Sequence, residues 1–155
     1  MIPITKIISG GQTGVDRAAL DVALEFKIAC GGWCPKGRKA EDGTIDSIYP
    51  LQETPLGDYS QRTEWNVRDA DGVLIFSYGK PTGGTALALE FSRKHLKPCI
   101  VIDLEKEQDK RAFIQWLKEN DIKNLNIGGP RESHKLGIIY ARSRAMLRDL
   151  LSDDG

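Results

Sequence analysis

The sequence is poor in the features that mark several specialised classes of protein. Its three cysteines are an odd number, with none of the density of a disulfide framework, so we expect reduced thiols. Only two histidines are present, and no four ligands have the spacing of a zinc site. Lys and Arg together number 22, as do Asp and Glu. The resulting net charge of zero argues against a broad surface for nucleic acid or anionic lipid.

Long hydrophobic runs are missing too. None approaches the roughly 18 residues that a membrane span needs, and the first residues, Met1 to Ile4, lack the charged start and apolar stretch of a signal peptide. These features predict a cytoplasmic protein without a membrane partner. With 155 residues, of which 40% are hydrophobic, we expect one domain over residues 1–155 with a sizeable core.

Short apolar runs alternate with amphipathic segments along the chain. The runs predict strands at 4–9, 29–33, 49–53, 72–77, 98–104 and 125–127. The segments predict helices at 14–27, 60–70, 85–94, 107–120 and 137–151, with a loop at 35–44 and a frayed tail at 152–155. Ser60 is the predicted N-cap of the second helix. The alternation favours an α/β fold with a doubly wound, mostly parallel sheet and helices on both faces.

Two glycine-rich turns stand where a predicted strand passes into a predicted helix. The first, residues 9–16, reads Ser-Gly-Gly-Gln-Thr-Gly-Val-Asp, and the second, residues 81–85, reads Pro-Thr-Gly-Gly-Thr. Glycine lets backbone N–H groups approach a ligand, and a helix N-terminus attracts anions. A third turn, residues 128–133, follows the last predicted strand. Because open parallel sheets bind ligands at the carboxyl ends of their strands, the three turns predict one crevice for an anion. Each turn alone is equally well explained as a tight turn.

The residues predicted to line this anion site combine turn amides, hydroxyls, a guanidinium and an amide. They are Gly10, Gly11, Gln12, Thr13, Gly14, Arg62, Asn66, Thr82, Gly83, Gly84, Thr85, Arg131 and Ser133. Arg62 would bind phosphate oxygens in a bidentate way, with Asn66 on the same helical face. The alternative interpretation is that Arg62 and Asn66 belong to a polar helix face that is exposed to solvent. Asp16 is interpreted as a carboxylate that favours the helix N-terminus, with a ligand acceptor as the alternative.

The first turn does not have the pattern of two common nucleotide-binding motifs. It lacks a G-x-G-x-x-G run with an acidic residue about 20 positions later, and no Gly-Lys-Ser/Thr of a Walker loop follows it. NAD binding and ATP hydrolysis therefore rank low. Glu90 follows the second turn by one and a half helical turns. It is interpreted as surface charge, or as a general acid/base where a crevice partly buries it.

Five ordered segments resemble the putative molybdenum carrier protein family. They are residues 9–16, 32–38 together with 40–43, 62–66, 83–85 and 129–133, so the likeness covers nearly the whole chain. More distantly, the chain is similar to a group of Rossmann-like proteins that includes the lysine-decarboxylase-like proteins and the phosphoribohydrolases. The resemblance implies a Rossmann-like fold that binds molybdenum cofactor, a pterin dithiolene bearing a phosphate. The dithiolene holds the molybdenum, so no metal ligand from the protein is required.

The sequence differs from the motif of the phosphoribohydrolases in the position of one glutamate. Their Pro-Gly-Gly-x-Gly-Thr-x-x-Glu motif corresponds to residues 81–85, but Glu90 lies five residues beyond Thr85 instead of three. Because each helical residue turns the chain by about 100°, this shift of two positions places the carboxylate roughly 200° around the helix from the position in the motif. A carrier or binding protein is therefore the first hypothesis. The alternative is an N-glycosidase of nucleotide monophosphates with Glu90 or Asp16 as acid/base, and a nucleotide-sensing domain ranks third. We also expect a homodimer or homotetramer.

Overall fold

The computed structural model describes residues 2–153, and its centre is a five-stranded sheet in which all neighbouring strands are parallel. The strands are β1 (Lys6–Ile8), β2 (Ala29–Gly31), β3 (Trp33–Cys34), β4 (Lys39–Ala40), β5 (Gly43–Thr44), β6 (Gln52–Glu53), β7 (Gly72–Ser77), β8 (Cys99–Asp103) and β9 (Asn124–Gly128). The helices are α1 (Val15–Glu25), α2 (Tyr59–Asp69), α3 (Gly83–Lys94), α4 (Lys110–Glu119) and α5 (Ile139–Leu151), with a 3₁₀ turn at Glu132–His134.

The order of strands in the central sheet is β2-β1-β9-β7-β8. The chain steps outward from β1 to β2 on one side and from β7 to β8 on the other. Strand β9 then returns to the gap between β1 and β7. This arrangement is a topological switch point, where ligands of open α/β sheets bind. It brings the carboxyl ends of β1, β7 and β9, and hence the three glycine turns, to one place.

Helices cover both faces of the sheet. On one face α1, α4 and α5 pack against Ile7, Leu74 and Phe76 in the largest hydrophobic cluster. On the other face α2 and α3 pack in a smaller cluster, formed by Val67, Val73, Ile75 and Ala88. The predicted α/β fold with a parallel, doubly wound sheet is therefore confirmed. None of the helices in residues 2–153 has both the length and the apolar character that crossing a membrane requires.

The region between β2 and α2 is more divided than the sequence indicated. The predicted strand 29–33 breaks at Gly32, whose φ of 134° turns the chain. Beyond it β3 leaves the central sheet and pairs in parallel with β6, with Trp33 opposite Gln52. The predicted loop 35–44 contains the small antiparallel hairpin β4–β5. A separate hydrophobic cluster that includes Cys34 and Ile45 holds this region together.

Several helix boundaries differ from the prediction because acidic side chains cap the helices. The N-cap of α2 is Asp58 and not Ser60, since the Asp58 carboxylate accepts a hydrogen bond of 2.9 Å from the amide of Gln61. The N-cap of α4 is Asp109, so that helix begins three residues later than expected. Ser152, predicted to be frayed, accepts hydrogen bonds from Lys110 Nζ at its carbonyl and hydroxyl oxygens. Residues 154–155 of the predicted tail lie outside the described residues.

Candidate functional site

A cavity of about 380 Å³ opens at the switch point, within the size range of small-molecule sites. All three glycine turns and helix α2 contribute to its walls. Of the residues singled out in the sequence, those that line it are Gly10, Gln12, Asp16, Arg62, Asn66, Thr82, Gly83, Gly84, Thr85, Arg131 and Ser133. The tertiary structure thus brings together three segments separated by about 45 to 70 residues of chain.

The backbone amides of the first turn are largely engaged within the turn itself. The amide of Gly11 donates to Ser9 Oγ at 3.3 Å, that of Gln12 to Asp16 Oδ2 at 3.3 Å, and that of Thr13 to Gln12 Oε1 at 3.0 Å. These N–H groups are therefore turned toward protein acceptors and away from a ligand. The first turn is built mainly as a structural element.

Two glycines of the first turn serve close packing and do not line the cavity. A Cβ on Gly11 would lie 2.5 Å from Leu51 Cδ1. A Cβ on Gly14 would lie 2.6 Å from the carbonyl oxygen of Pro130, and the φ of 79° there also favours glycine. Close contact between α1 and the third turn therefore requires Gly14 to lack a side chain.

Thr13 and Glu90 also lie outside the cavity wall. The hydroxyl of Thr13 donates to Glu41 and accepts the amide of Glu132 at 3.1 Å, so it joins two loops. Glu90 is exposed on α3. Its five-residue separation from Thr85 directs it away from the wall that Thr85 lines.

A buried ion pair forms the floor of the cavity beside the first turn. Arg62 Nη1 lies 2.8 Å from Asp16 Oδ2, and the two residues are 9% and 6% exposed. Burial raises the pKa of Asp16, and the positive charge of Arg62 opposes that shift. The guanidinium rests directly on Gly10, where a Cβ would lie 1.7 Å from Nη1. The charge of Arg62 is thus balanced by the protein.

Two buried donors on this floor have no protein partner. Within the described residues, Gln12 Nε2 and Arg62 Nε are buried without a hydrogen-bond acceptor. Both side chains line the cavity, and Gln12 is only 5% exposed. Because a buried donor without an acceptor destabilises the folded state, the pair indicates a place for an acceptor that the chain does not supply.

Asn66 uses both ends of its amide to hold β3. Its Oδ1 accepts the amide of Trp33 at 2.7 Å, and its Nδ2 donates to the carbonyl oxygen of Trp33 at 2.9 Å. The Trp33 ring in turn donates from Nε1 to Asp69 at 2.8 Å. Asn66 therefore positions the segment after β2 against α2, while it contributes to the cavity wall.

The second turn differs from the first because its helix N-terminus is open. Thr82 is the N-cap of α3 but makes no side-chain capping bond. In the described part of the chain, the amides of Gly83 and Gly84 meet no acceptor. A Cβ on either glycine would meet no atom within 4 Å. Free N–H groups and the helix dipole favour an anion here, and Lys80 on the same wall adds a positive charge.

The third turn is joined to the hairpin β4–β5 through Glu41. The carboxylate of Glu41 accepts the amide of Ser133 at 3.0 Å and its hydroxyl at 2.6 Å. Arg131 Nη1 lies 3.8 Å from the same carboxylate, and its guanidinium lies 5.3 Å from the ring centre of Tyr59. Burial alone would raise the pKa of Glu41, but these hydrogen bonds and that of Thr13 lower it.

The sequence analysis missed six polar residues of the cavity wall, namely Thr63, Ser77, Tyr78, Lys80, Asn126 and His134. Ser77 and Asn126 are 7% and 6% exposed, and both lie on the sheet face that α2 and α3 cover. A polar residue within an apolar strand was the available signal for Asn126, which stands between Leu125 and Ile127. The signal for Lys80 was its position directly before the second turn.

The wall as a whole favours a negatively charged guest. Among the described wall residues the cationic side chains are Arg62, Lys80 and Arg131, and the single carboxylate, Asp16, already pairs with Arg62. Among residues 2–153 no group of three or more His, Cys, Asp or Glu side chains could hold a metal ion.

Comparison with known proteins agrees with the fold. A crystal structure at 1.45 Å resolution, described as a putative molybdenum carrier protein from Syntrophus aciditrophicus SB, is 47% identical, with a TM-score of 0.92. The match covers 97% of each chain, and it confirms the resemblance drawn from the five segments. No curated protein matches the chain. A family model described as circularly permutated YpsA SLOG matches residues 7–151. The chain therefore belongs to the circularly permutated YpsA SLOG family.

Proposed function

We propose that the chain binds a small phosphorylated heterocycle in the cavity at the switch point, and that this ligand is molybdenum cofactor. The observation that carries the proposal is the open N-terminus of α3, where two glycine amides without acceptors line the cavity beside Lys80. The description of the 47% identical structure as a putative molybdenum carrier supports the choice of ligand.

The two sides of the cavity differ in a way that orients such a ligand. The phosphate binds against Thr82, Gly83, Gly84 and Thr85, where the helix dipole and amides are available. The heterocycle then lies over the floor, where Gln12 Nε2 and Arg62 Nε are buried donors without acceptors. A pterin has ring nitrogens and a carbonyl oxygen that accept such bonds. Molybdenum is cargo in this proposal, and the dithiolene of the pterin holds it.

The remaining residues have supporting roles in the proposal. Arg131 is partly exposed and lies at the rim, where it closes over the bound ligand. Ser133 holds the third turn in position by its hydrogen bond to Glu41. Gly10 has no side chain, so the Arg62 guanidinium can pack directly against it on the floor of the cavity.

Equilibrium binding of purified molybdenum cofactor tests this function, with inorganic phosphate as a competitor. We expect saturable binding at micromolar concentration, an increase in melting temperature with ligand, and weakening of about tenfold in Lys80→Gln, which removes one charge from the phosphate. Lys118→Gln is the matched control because Lys118 is exposed on α4, which packs on the sheet face opposite to α2 and α3. Absence of saturable binding up to about 100 μM, against the micromolar affinity expected of a carrier, would overturn the proposal.

Asp16 keeps a second function under consideration, hydrolysis of the N-glycosidic bond of a nucleotide monophosphate. It is the one carboxylate on the described cavity wall, and burial raises its pKa, as a general acid requires. Release of free base from nucleotide monophosphates tests this alternative. Activity that is lost in an Asp16→Asn protein whose circular dichroism spectrum shows it to be folded, and kept in Glu90→Gln, would establish it. Loss in Glu90→Gln would require a different arrangement of the site.

A further inference from the structure

Strand β8 forms an open edge of the central sheet. Its one neighbour in the sheet is β7, with Val101 opposite Ile75. The amide of Val73 donates to the carbonyl oxygen of Pro98 at 2.9 Å, and the amide of Leu104 donates to that of Ser77 at 2.8 Å. Because backbone groups of a strand alternate in direction, even-numbered residues of β8 bond to β7. The N–H and C=O groups of the odd-numbered residues therefore face away from the sheet.

The side chains along this edge are apolar and incompletely covered. Strand β8 reads Cys-Ile-Val-Ile-Asp, and Val101 is 46% exposed although its neighbour Ile75 is fully buried. Edge strands are usually protected by charge, proline, a bulge or a covering segment. Here Asp103 is the one charged residue of the strand, and it stands at the end. An apolar edge of five residues of this kind is suited to pairing with another strand.

We propose that β8 pairs antiparallel with β8 of a second copy, around a two-fold axis at Val101, and joins the two sheets into one. The outward N–H and C=O groups of Val101 then exchange hydrogen bonds with those of Val101 of the second copy. The same register places Ile100 opposite Ile102, and Cys99 opposite Asp103, of the second copy. Such an interface is closed and self-complementary, as two-fold symmetry requires.

Charge complementarity supports a second copy as the occupant of this edge. Arg93 lies in the last turn of α3, close to Cys99: burial raises the pKa of the Cys99 thiol, and the positive charge of Arg93 opposes that shift. In the proposed register Asp103 of the second copy lies directly across from Cys99. The Asp103 carboxylate accepts the amide of Glu105 at 2.8 Å through Oδ1. In this arrangement each Arg93 faces the other oxygen, Oδ2, of the Asp103 carboxylate of the second copy, which forms two symmetric ion pairs beside the strands. Within residues 2–153 of one copy, Arg93 has no ion-pair partner.

Sedimentation equilibrium of the full chain tests the interface through Val101→Pro. Proline lacks an amide hydrogen, and at an edge position whose N–H faces outward the monomer tolerates it. We expect wild type to be dimeric and Val101→Pro to be monomeric with an unchanged circular dichroism spectrum. Val101→Thr is the matched control, because it keeps the amide and the β-branched shape and so remains dimeric. A monomeric wild type at about 100 μM, well above the micromolar Kd of a specific interface, or a dimeric, folded Val101→Pro, would overturn the proposal.

Reversing the charges of the proposed ion pair tests the register of the two strands. This test does not depend on whether Val101→Pro folds. Arg93→Glu and Asp103→Arg each place like charges across the axis, so each raises the dimer dissociation constant about tenfold. The double variant restores opposite charges and returns the constant toward the wild-type value. A double variant as weak as the single variants would show that these residues do not face each other.

Discussion

The two glycine turns at the switch point are alike in composition and opposite in construction. In the first, side chains of Ser9, Gln12 and Asp16 accept the backbone amides, and the glycines admit neighbouring atoms at close distance. In the second, Gly83 and Gly84 have open space around them, and their amides have no acceptor within the described residues. A glycine-rich turn after a strand thus serves packing in one case and leaves an anion site in the other. Whether the turn serves packing or leaves an anion site depends on the presence of polar side chains that accept its backbone amides.

The largest effect in this comparison is expected from alanine at one glycine of each turn. Gly14→Ala should destabilise the protein by about 4 kcal/mol, because its backbone conformation disfavours a side chain and Cβ would strike the third turn. Gly84→Ala should leave the free energy of unfolding unchanged or raise it by up to about 1 kcal/mol, since Gly84 is helical and nothing surrounds that Cβ. Urea unfolding measures both. Equal losses in the two variants would show that the turns do not differ in this way.

The next effect concerns the buried charges behind the first turn. Asp16→Asn leaves the Arg62 guanidinium buried without a counter-charge, which should lower the free energy of unfolding by about 3 kcal/mol. The matched control is Asp42→Asn, because Asp42 pairs with Arg17 but half of its side chain is exposed. That control should lose no more than about 1 kcal/mol. A loss in Asp16→Asn as small as in the control would mean that the Arg62 charge is solvated.

The smallest effect concerns the link between the first and third turns. Glu41→Gln should destabilise the protein by about 1 kcal/mol near pH 7, because the charged acceptor of the Ser133 and Thr13 bonds is lost.

This loss should depend on pH with a defined sign. The folded-state pKa of Glu41 lies below its usual 4.5, so its contribution is complete above pH 4.5 and disappears as the pH falls through the lowered pKa. The difference in free energy of unfolding between wild type and Glu41→Gln should therefore become smaller at acidic pH. Urea unfolding at a series of pH values measures it. A difference that widened in acid would contradict the lowered pKa.

Local signals predicted most of the elements but not all of their ends. The apolar run at 72–77 and the amphipathic segment at 85–94 correspond closely to β7 and α3, because hydrophobic period and glycine boundaries agree there. The error at α2 arose because Asp58 and Ser60 are both good N-caps, and only the observed bond to Gln61 distinguishes them. The hairpin β4–β5 was missed because two-residue strands leave almost no periodic pattern.

The composition of the cavity wall was less predictable than its position. Arg62 carries the guanidinium that a phosphate would need, and the sequence gives no sign that Asp16, 46 residues earlier, neutralises it. Lys80 and Asn126 line the cavity but were missed. A single lysine in a loop, or a single asparagine in a strand, does not by itself indicate a binding site. Their role as wall residues depends on strand order, which the local pattern does not specify.

The sequence by itself determined the α/β class, the alternation of strands and helices, and the three turns at strand ends, because these depend on near neighbours in the chain. The tertiary structure alone decided that β9 lies between β1 and β7, that the amides of the first turn are occupied while those of the second are open, and that β8 is left at an edge. Hydrogen bonds and ion pairs between distant residues depend on which elements become neighbours, and that choice is made by packing of the whole chain.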